Sequence, residues 1–514
     1  MTTTDSIART TGTGRISQPL GARAHRVVFG VNADDAIDLE LPYITVIDEA
    51  HLVMLAERRL VDMGAAARLL TEIHALRAAG FAPLRGRPAP RGVYLLYEDH
   101  LIDQLGMRVG GVLHTGRSRN DLKATMHHMR LRELAIGALH GLLRLQALLL
   151  SRARRFRTVV MPAYSQYQPA TPASYGYYLL GVGESLGHDI LGLWQACEGL
   201  GQCPLGAASG GGTDVAIDPA RTAALLGFTI PVSHAGYAVA SRDTAVRLLG
   251  ACVLAGLTLS RLCTDLQLWS TAEFRLVDFP DSLVGSSSAM PQKRNPFLLE
   301  HIKGGAGALI GAWTAAVANI KNVPFGNSVE VSTEAVASVW PAVDRFTDLT
   351  ELAISVVAGA RPCQDAMLRR ADEGFTVATA VANRLVAQGV PFRVAHRVVG
   401  RLVTELISGG GPAPSEVDIR STGRRLGALL RSEGVATRID LIGADFDPAA
   451  VVAATDFGGG PGPMSFAAAH TRLTEAWRGH MREVAAWSDR LMIAETERTE
   501  AVRRLGLLDG GWMS

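Results

Sequence analysis

Lysine is almost missing from this chain. Lysine and arginine together number 51 among 514 residues, and only Lys123, Lys293, Lys303 and Lys321 are lysines. Positive charge is carried nearly everywhere by arginine, so a lysine in a polar loop asks for a reason. An excess of one sign is also lacking. The formal net charge is +2, charged residues make up 19%, and the arginines are scattered, which argues against a nucleic-acid partner. Cysteine is scarce: Cys197, Cys203, Cys252, Cys263 and Cys363 form no C-x-x-C pair and no Cys/His group at zinc-ligand spacing. Neither a disulfide framework nor a metal centre is expected, and the thiols read as reduced core residues of a cytoplasmic protein. An apolar N-terminal stretch is absent too, and the Thr/Ser/Arg/Gly-rich start reads as a mobile tail over residues 1–35. The uncharged run Thr158–Gly183 is broken by Pro162, Pro169 and Pro172, so no membrane span is expected there.

What is present in abundance is helical periodicity. Residues 48–79 carry apolar positions at helical spacing, with Gly64 as the expected break between two helices. Further helical patterns cover about Leu122–Phe156, Pro172–Leu200, Ser241–Leu268 and Pro296–Ile320. Helices of roughly thirty residues are about 35 to 45 Å long, the raw material of an extended bundle. The stretch LLGACVLAGLTLSRLCTDLQLW, Leu248–Trp269, is apolar over more than one stripe, which implies burial on several sides, most simply by subunit association. A helical hairpin is expected over Val377–Leu406. The reading is all-α, with helical domains over residues 36–121, 122–362 and 363–514.

Four polar stretches interrupt the helices: HTGRSRND (His114–Asp121), MPAYSQYQPA (Met161–Ala170), PLGAASGGGTD (Pro204–Asp214) and GSSSAMPQKRNP (Gly285–Pro296). Each is longer than a bundle turn requires, and loops on a rigid helical frame are where binding groups collect. GAASGGGTD lacks the Gly-Lys-Ser/Thr ending of a phosphate loop, and the adjacent His127 and His128 cannot face one metal from a helix. Arg117, Arg119 and Asn120 offer guanidinium and amide donors suited to carboxylates. Lys293 and Asn295 offer a second set, and serines in a Gly-rich loop supply hydroxyl and N–H groups. The inventory fits a small dicarboxylate on which further negative charge develops.

Taken together, the four stretches resemble the fumarase/aspartase superfamily, and within it argininosuccinate lyase. SSAMPQKRNP follows the pattern G-S-S-x-M-P-x-K-x-N-P, HTGRSRND follows a second signature, and YSQYQ stands where a third has Y-T-H-x-Q. AVASRD (Ala238–Asp243) and the segment Gly374–Val403 continue the similarity, which spans about residues 40–465. The resemblance implies a three-domain, nearly all-helical protomer with a central bundle of long helices. It implies a homotetramer whose active sites combine loops of three subunits, no cofactor, and reversible elimination from a substituted succinate to give fumarate. On that pattern Ser287 is the base, with Ser286 and Ser288 as neighbours able to hold the role. Lys293 and Asn295 bind the dicarboxylate, an ammonium nearby favouring the serine alkoxide. Ser118, Arg119, Asn120 and Ser165 hold the succinyl half.

Two positions depart from the pattern. The histidine that protonates the departing nitrogen is Gln166 here, while its glutamate partner remains as Glu300. An amide cannot give and regain a proton at neutral pH, so Gln166 either shapes the substrate pocket while His114 or water supplies the proton, or the leaving nitrogen needs no acid. Downstream, the arginine-binding Y-N-K-D-x-Q-E-D-K-E is replaced by NVPFGNSVEVSTEA, Asn322–Ala335. The expectation is a carbon–nitrogen lyase acting on an N-substituted aspartate other than argininosuccinate. A genuine argininosuccinate lyase, an inactive scaffold of the same fold, and a cycloisomerase or adenylosuccinate-type lyase are the alternatives.

Overall fold

The computed structural model describes residues 20–30, 33–89, 91–436 and 439–506. Of the expected mobile tail, residues 1–19, 31 and 32 lie outside the described residues; Ala22–Phe29 is a short helix whose His25 reaches the Ala89 carbonyl at 3.1 Å. The first long helix, α1 (Asp34–Glu57), begins well before the periodicity announces it and contains Pro42. The proline sits past the second turn, and Thr45 Oγ1 bonds back to the Leu41 carbonyl at 2.8 Å. The break before α2 (Met63–Ala78) is not at Gly64. It falls at Arg58–Asp62, where Arg59 is left-handed (φ 58°) and Asp62 caps α2 by accepting from the Ala65 N–H. With α3 (Val93–Leu105) these helices enclose a first core around Ile37, Leu41, Leu70, Tyr97 and Leu101.

The centre is a bundle of α4 (Arg119–Arg155), α5 (Tyr175–Ala196), α6 (Asp243–Trp269), α7 (Phe297–Ile320) and α8 (Val339–Gly359). Leu139, Leu142, Leu186, Ile190, Leu249, Leu262, Ile302 and Phe346 share one core. α4 and α6 are each long and apolar enough to cross a membrane by length and composition, and half or more of each apolar window is buried inside the bundle. Between α4 and α5 the chain forms an antiparallel hairpin that the helical reading missed, β1 (Val160–Ser165) and β2 (Gln168–Ser174). Pro162 faces Pro172 in this ladder, which a two-stranded ribbon tolerates because both strands are edges. β3 (Val277–Asp278) and β4 (Arg361–Pro362) make a second small pair.

The last segment is not one domain. α9 (Gln364–Glu373) packs on β1, whereas α10 (Ala378–Ala387), α11 (Phe392–Ser408) and α12 (Ile419–Ser432) have their own core around Leu385, Val398, Leu402 and Leu426. The 42-residue α13 (Pro463–Arg504) instead returns along the bundle. Trp487 stacks edge-on with Trp194, Trp477 donates to the Leu143 carbonyl at 2.9 Å, and Ala501 and Val502 enter the first core. The expected single domain over 363–514 is therefore corrected: its final helix belongs to the other two cores, because its apolar face is spent on them.

Candidate active site

Ser118 ends the His114–Asp121 loop as the N-cap of α4. Its Oγ accepts from the Asn120 N–H at 3.3 Å, and Asp121 Oδ1 accepts from the Ser118 N–H at 2.9 Å, a reciprocal capping box. Asp121 Oδ2 accepts from the Gly206 and Ala208 N–H groups at 3.0 and 2.9 Å, so one buried carboxylate fastens the Gly-rich loop to the start of α4. Arg119 is exposed, its guanidinium donating to the Arg91 carbonyl at 3.4 Å, and Asn120 is half-buried. Arg117 is not. Its side chain is wholly buried, ion-paired to Asp48 at 2.6 Å and donating to Tyr94 Oη at 3.2 Å, while Tyr97 donates to the same Asp48 at 2.8 Å. The grouping of Arg117 with Arg119 and Asn120 as carboxylate donors is thus corrected: its charge is consumed inside the first domain.

His114 contacts Tyr94 Oη through Nδ1 at 2.9 Å and lies 3.8 Å from Glu98. Burial, with the Arg117 and Arg119 charges adding to it, pushes its pKa down to about 4. The imidazole is neutral at neutral pH, which weakens it as a proton donor.

Ser165 and Gln166 stand at the exposed tip of the β1–β2 hairpin, beside a register shift at Ala163/Tyr164. Gln166 (φ 51°) and Tyr167 (φ 63°) are both left-handed, the backbone that a two-residue hairpin turn demands and that Asn-Gly would adopt more easily. Tyr164, just behind the tip, packs against Trp269 and Phe274 at the end of α6.

The Ser-rich loop is closed at its neck by paired bonds between Gly285 and Asn295, each 2.8 Å. Asn295 Nδ2 donates to the Ser286 carbonyl at 3.4 Å, and Arg294 fastens the loop to Asp278, Asp281 and the Phe279 carbonyl. Among its three serines, Ser286 and Ser288 are exposed and Ser287 is half-buried. Ser287 Oγ accepts from the Met290 N–H at 3.1 Å and the Ala289 N–H at 3.4 Å. Two N–H dipoles aimed at one hydroxyl oxygen favour its charged form. Lys293 is exposed on the same loop. Glu300, on the first turn of α7, accepts from Gln267 Nε2 at 2.9 Å, and the carbonyl of that amide is bonded by Lys303. Gln267, Lys303 and Asp121 had no signal in the sequence beyond their polarity.

These groups do not converge within one protomer. α4 alone separates Ser118 from the hairpin by about 55 Å, and the hairpin tip packs at the far end of α6. The Ser-rich loop and Glu300 lie at that same far end, next to β3 and Gln267. Gln166 makes no hydrogen bond to Ser287, Glu300 or His114 among the described residues. No three His, Cys, Asp or Glu side chains among the described residues are placed to hold a metal ion.

The chain matches a lyase family model over residues 95–311 and a model of the argininosuccinate lyase C-terminal region over residues 375–421. It is 35% identical to the argininosuccinate lyase of Halobacterium salinarum over 82% of this chain and 84% of that protein. To argininosuccinate lyase 1 of Shouchella clausii it is 28% identical, over 94% and 97%. Among solved structures, an EDDS lyase variant with bound fumarate and EDDS lyase in complex with formate each superpose with a TM-score of 0.83, at 26% identity and 98% coverage of both chains. The class II fumarase of Schistosoma mansoni shares the fold, with a TM-score of 0.63 at 15% identity over 80% of this chain and 90% of that one.

Proposed function

Since the chain belongs to the argininosuccinate lyase family of the fumarase/aspartase superfamily, and is a fumarate-forming carbon–nitrogen lyase, we propose that its substrate is an N-substituted aspartate other than argininosuccinate, with Ser287 as the base. The observation that carries the base assignment is the pair of N–H groups on Ser287 Oγ, which neither flanking serine has. As the alkoxide, Ser287 takes a proton from the carbon beside one carboxylate. The C–H electron pair moves into that carboxylate, giving a dianionic aci-acid, and returns to form the carbon–carbon double bond as the C–N pair departs with the nitrogen. Lys293 and Asn295 bind the carboxylate on which charge accumulates, and Ser118, Arg119, Asn120 and Ser165 hold the rest of the succinyl group.

Gln166 replaces the acid, and neutral His114 is a poor substitute. The leaving nitrogen is then one that departs without strong acid assistance: an alkylamine already protonated near neutral pH, or a hydrazine-like or nitrite group. Gln166 shapes the pocket and positions the nitrogen, with Glu300 nearby in the assembled site. The separation of the loops along α4 supports assembly of the site between copies, and the reading is a homotetramer. Exposed Leu254 and Leu257 of α6 and Ile310 and Trp313 of α7 supply an apolar face for a second copy.

Purified enzyme incubated with fumarate and a panel of nitrogen nucleophiles (ammonia, arginine, diamines, hydrazines, amino acids, nitrite) tests this, following loss of fumarate absorbance. The expected result is consumption with a non-arginine partner, reduced at least about 100-fold by Ser287→Ala, the scale on which a positioned proton-transfer group acts. Consumption with arginine alone would restore the ordinary family activity, and unchanged turnover in Ser287→Ala would remove the base assignment.

A further inference from the structure

A cleft of about 480 Å³ opens where the first turn of α6 faces the end of α7 and the segment after it. A volume of that size suits a small molecule. Val246, Val317, Val323, Phe325 and Val331 make it apolar, and Phe325, 78% exposed, leaves phenyl surface that a ligand can cover. Residues 330–334 form a π-helical turn, an irregularity often found at functional sites.

The cleft lies about three turns along α4 from Ser118, where His128 shares a small pocket with Ser241 and Asp243. Asp121 holds Ala208, the neighbouring Ala207 packs with Ala238 and Val239, and the chain then enters the cleft wall at Ala240. The charge of the lining is unbalanced. Asp243 is its one acidic residue among the described residues, and it is already engaged by Ser241, by Tyr237 and by Arg247 at 3.5 Å. Arg242 and Lys321 add positive charge. The Lys321 side chain is exposed and has neither hydrogen bond nor ion pair among the described residues. A cation at a helix C-terminus complements the helix dipole, but an arginine would serve that purpose in a chain that otherwise relies on arginine.

We propose that this cleft receives the nitrogen substituent of the substrate, and that the substituent is an apolar body bearing a carboxylate, not a guanidinium. The inference rests on the fumarate-forming reading above. Val317, Val323 and Phe325 cover the body, and Lys321 pairs with the anion. The substrate class is the N-(1,2-dicarboxyethyl) derivatives of apolar amino acids, which a cationic lining separates from arginine derivatives by like-charge repulsion.

Binding is read apart from turnover by calorimetric titration of the full-length protein, with fumarate present, using phenylalanine, phenethylamine, arginine and agmatine. The expected result is that phenylalanine binds at least tenfold more tightly than arginine, and that Lys321→Met weakens phenylalanine at least tenfold while leaving phenethylamine unchanged. Phe325→Ser should weaken both. Equal affinity for arginine and phenylalanine, absence of phenylalanine binding, or wild-type affinity in both variants would overturn the proposal. Ser287→Ala should bind phenylalanine normally. If the binding pattern holds but fumarate turnover does not depend on Ser287, the cleft stands and the catalytic reading fails.

Discussion

Replacing Arg117 with methionine strands a carboxylate. Arg117 and Asp48 have wholly buried side chains 2.6 Å apart, and apart from Arg117 the Asp48 carboxylate receives, among the described residues, only the Tyr97 hydroxyl. A buried pair gains little net energy, because attraction is set against the loss of two hydration shells. Removing one member leaves the other unpaired and costs about 3 to 5 kcal/mol. With unfolding entropy of about 2.1 cal/mol/K per residue, a chain of 514 residues carries about 1 kcal/mol/K, so the melting temperature should fall by about 3 to 5 °C. The loss should also depend on pH. Burial already pushes Asp48 up against the opposing pull of Arg117, and without the guanidinium it rises further. A carboxyl whose folded pKa exceeds its unfolded value makes the folded state hold the extra proton, so stability falls as pH rises from about 4 through the raised folded value. Scanning calorimetry at pH 5 and pH 8 should therefore show the smaller deficit at pH 5. The double change Asp48→Leu with Arg117→Met should recover most of it. A melting temperature within 1 °C of wild type at both pH values, or equal deficits at the two, would refute the argument.

Two further outcomes are expected. An alanine at Gly176 would push its Cβ against the Ala153 carbonyl and the Arg157 backbone, where α5 starts beneath the end of α4. Gly176→Ala should cost about 1 to 3 kcal/mol or more. Gly181→Ala, one and a half turns along with nothing within 4 Å, should gain up to about 1 kcal/mol, and equal melting temperatures for the two would contradict the packing. His114, held near a pKa of about 4, stays neutral from about pH 6 to 8, so His114→Asn should leave every inflection of the pH–rate profile in that window where it was. A limb that disappears with the histidine would make it the missing acid.

The sequence made the bundle legible because α4 to α7 are long and strongly periodic, and periodicity survives context. It failed where local rules were overridden by packing. The periodicity is read from residue 48, yet α1 starts at Asp34 and runs through Pro42 because its flanks bury Leu41, Ile44 and Ile47 in the first core. The Pro-studded run after Phe156 reads as irregular or helical. It pairs as a hairpin because prolines can face one another between edge strands. Gly64 reads as a break but sits inside the first turn of α2, the true break being the left-handed Arg59. The polar stretches drew the candidate site because they are longer and richer in donors than turns between such helices require. Which donors are available did not follow. Arg117 and Arg119 are two residues apart and chemically identical, and only the fold places Asp48 against the first of them.

The length of α4 has one more consequence. Ser118 is at one end of this rod, and the hairpin, the Ser-rich loop and Glu300 gather at the other. On the proposed roles, a single copy carries every group assigned to the reaction but cannot bring Ser118 to the others. On the reading proposed, protein concentration enters the rate law. Turnover per chain should rise with the fraction of chains associated, by mass action, and fall on dilution even when every molecule remains folded.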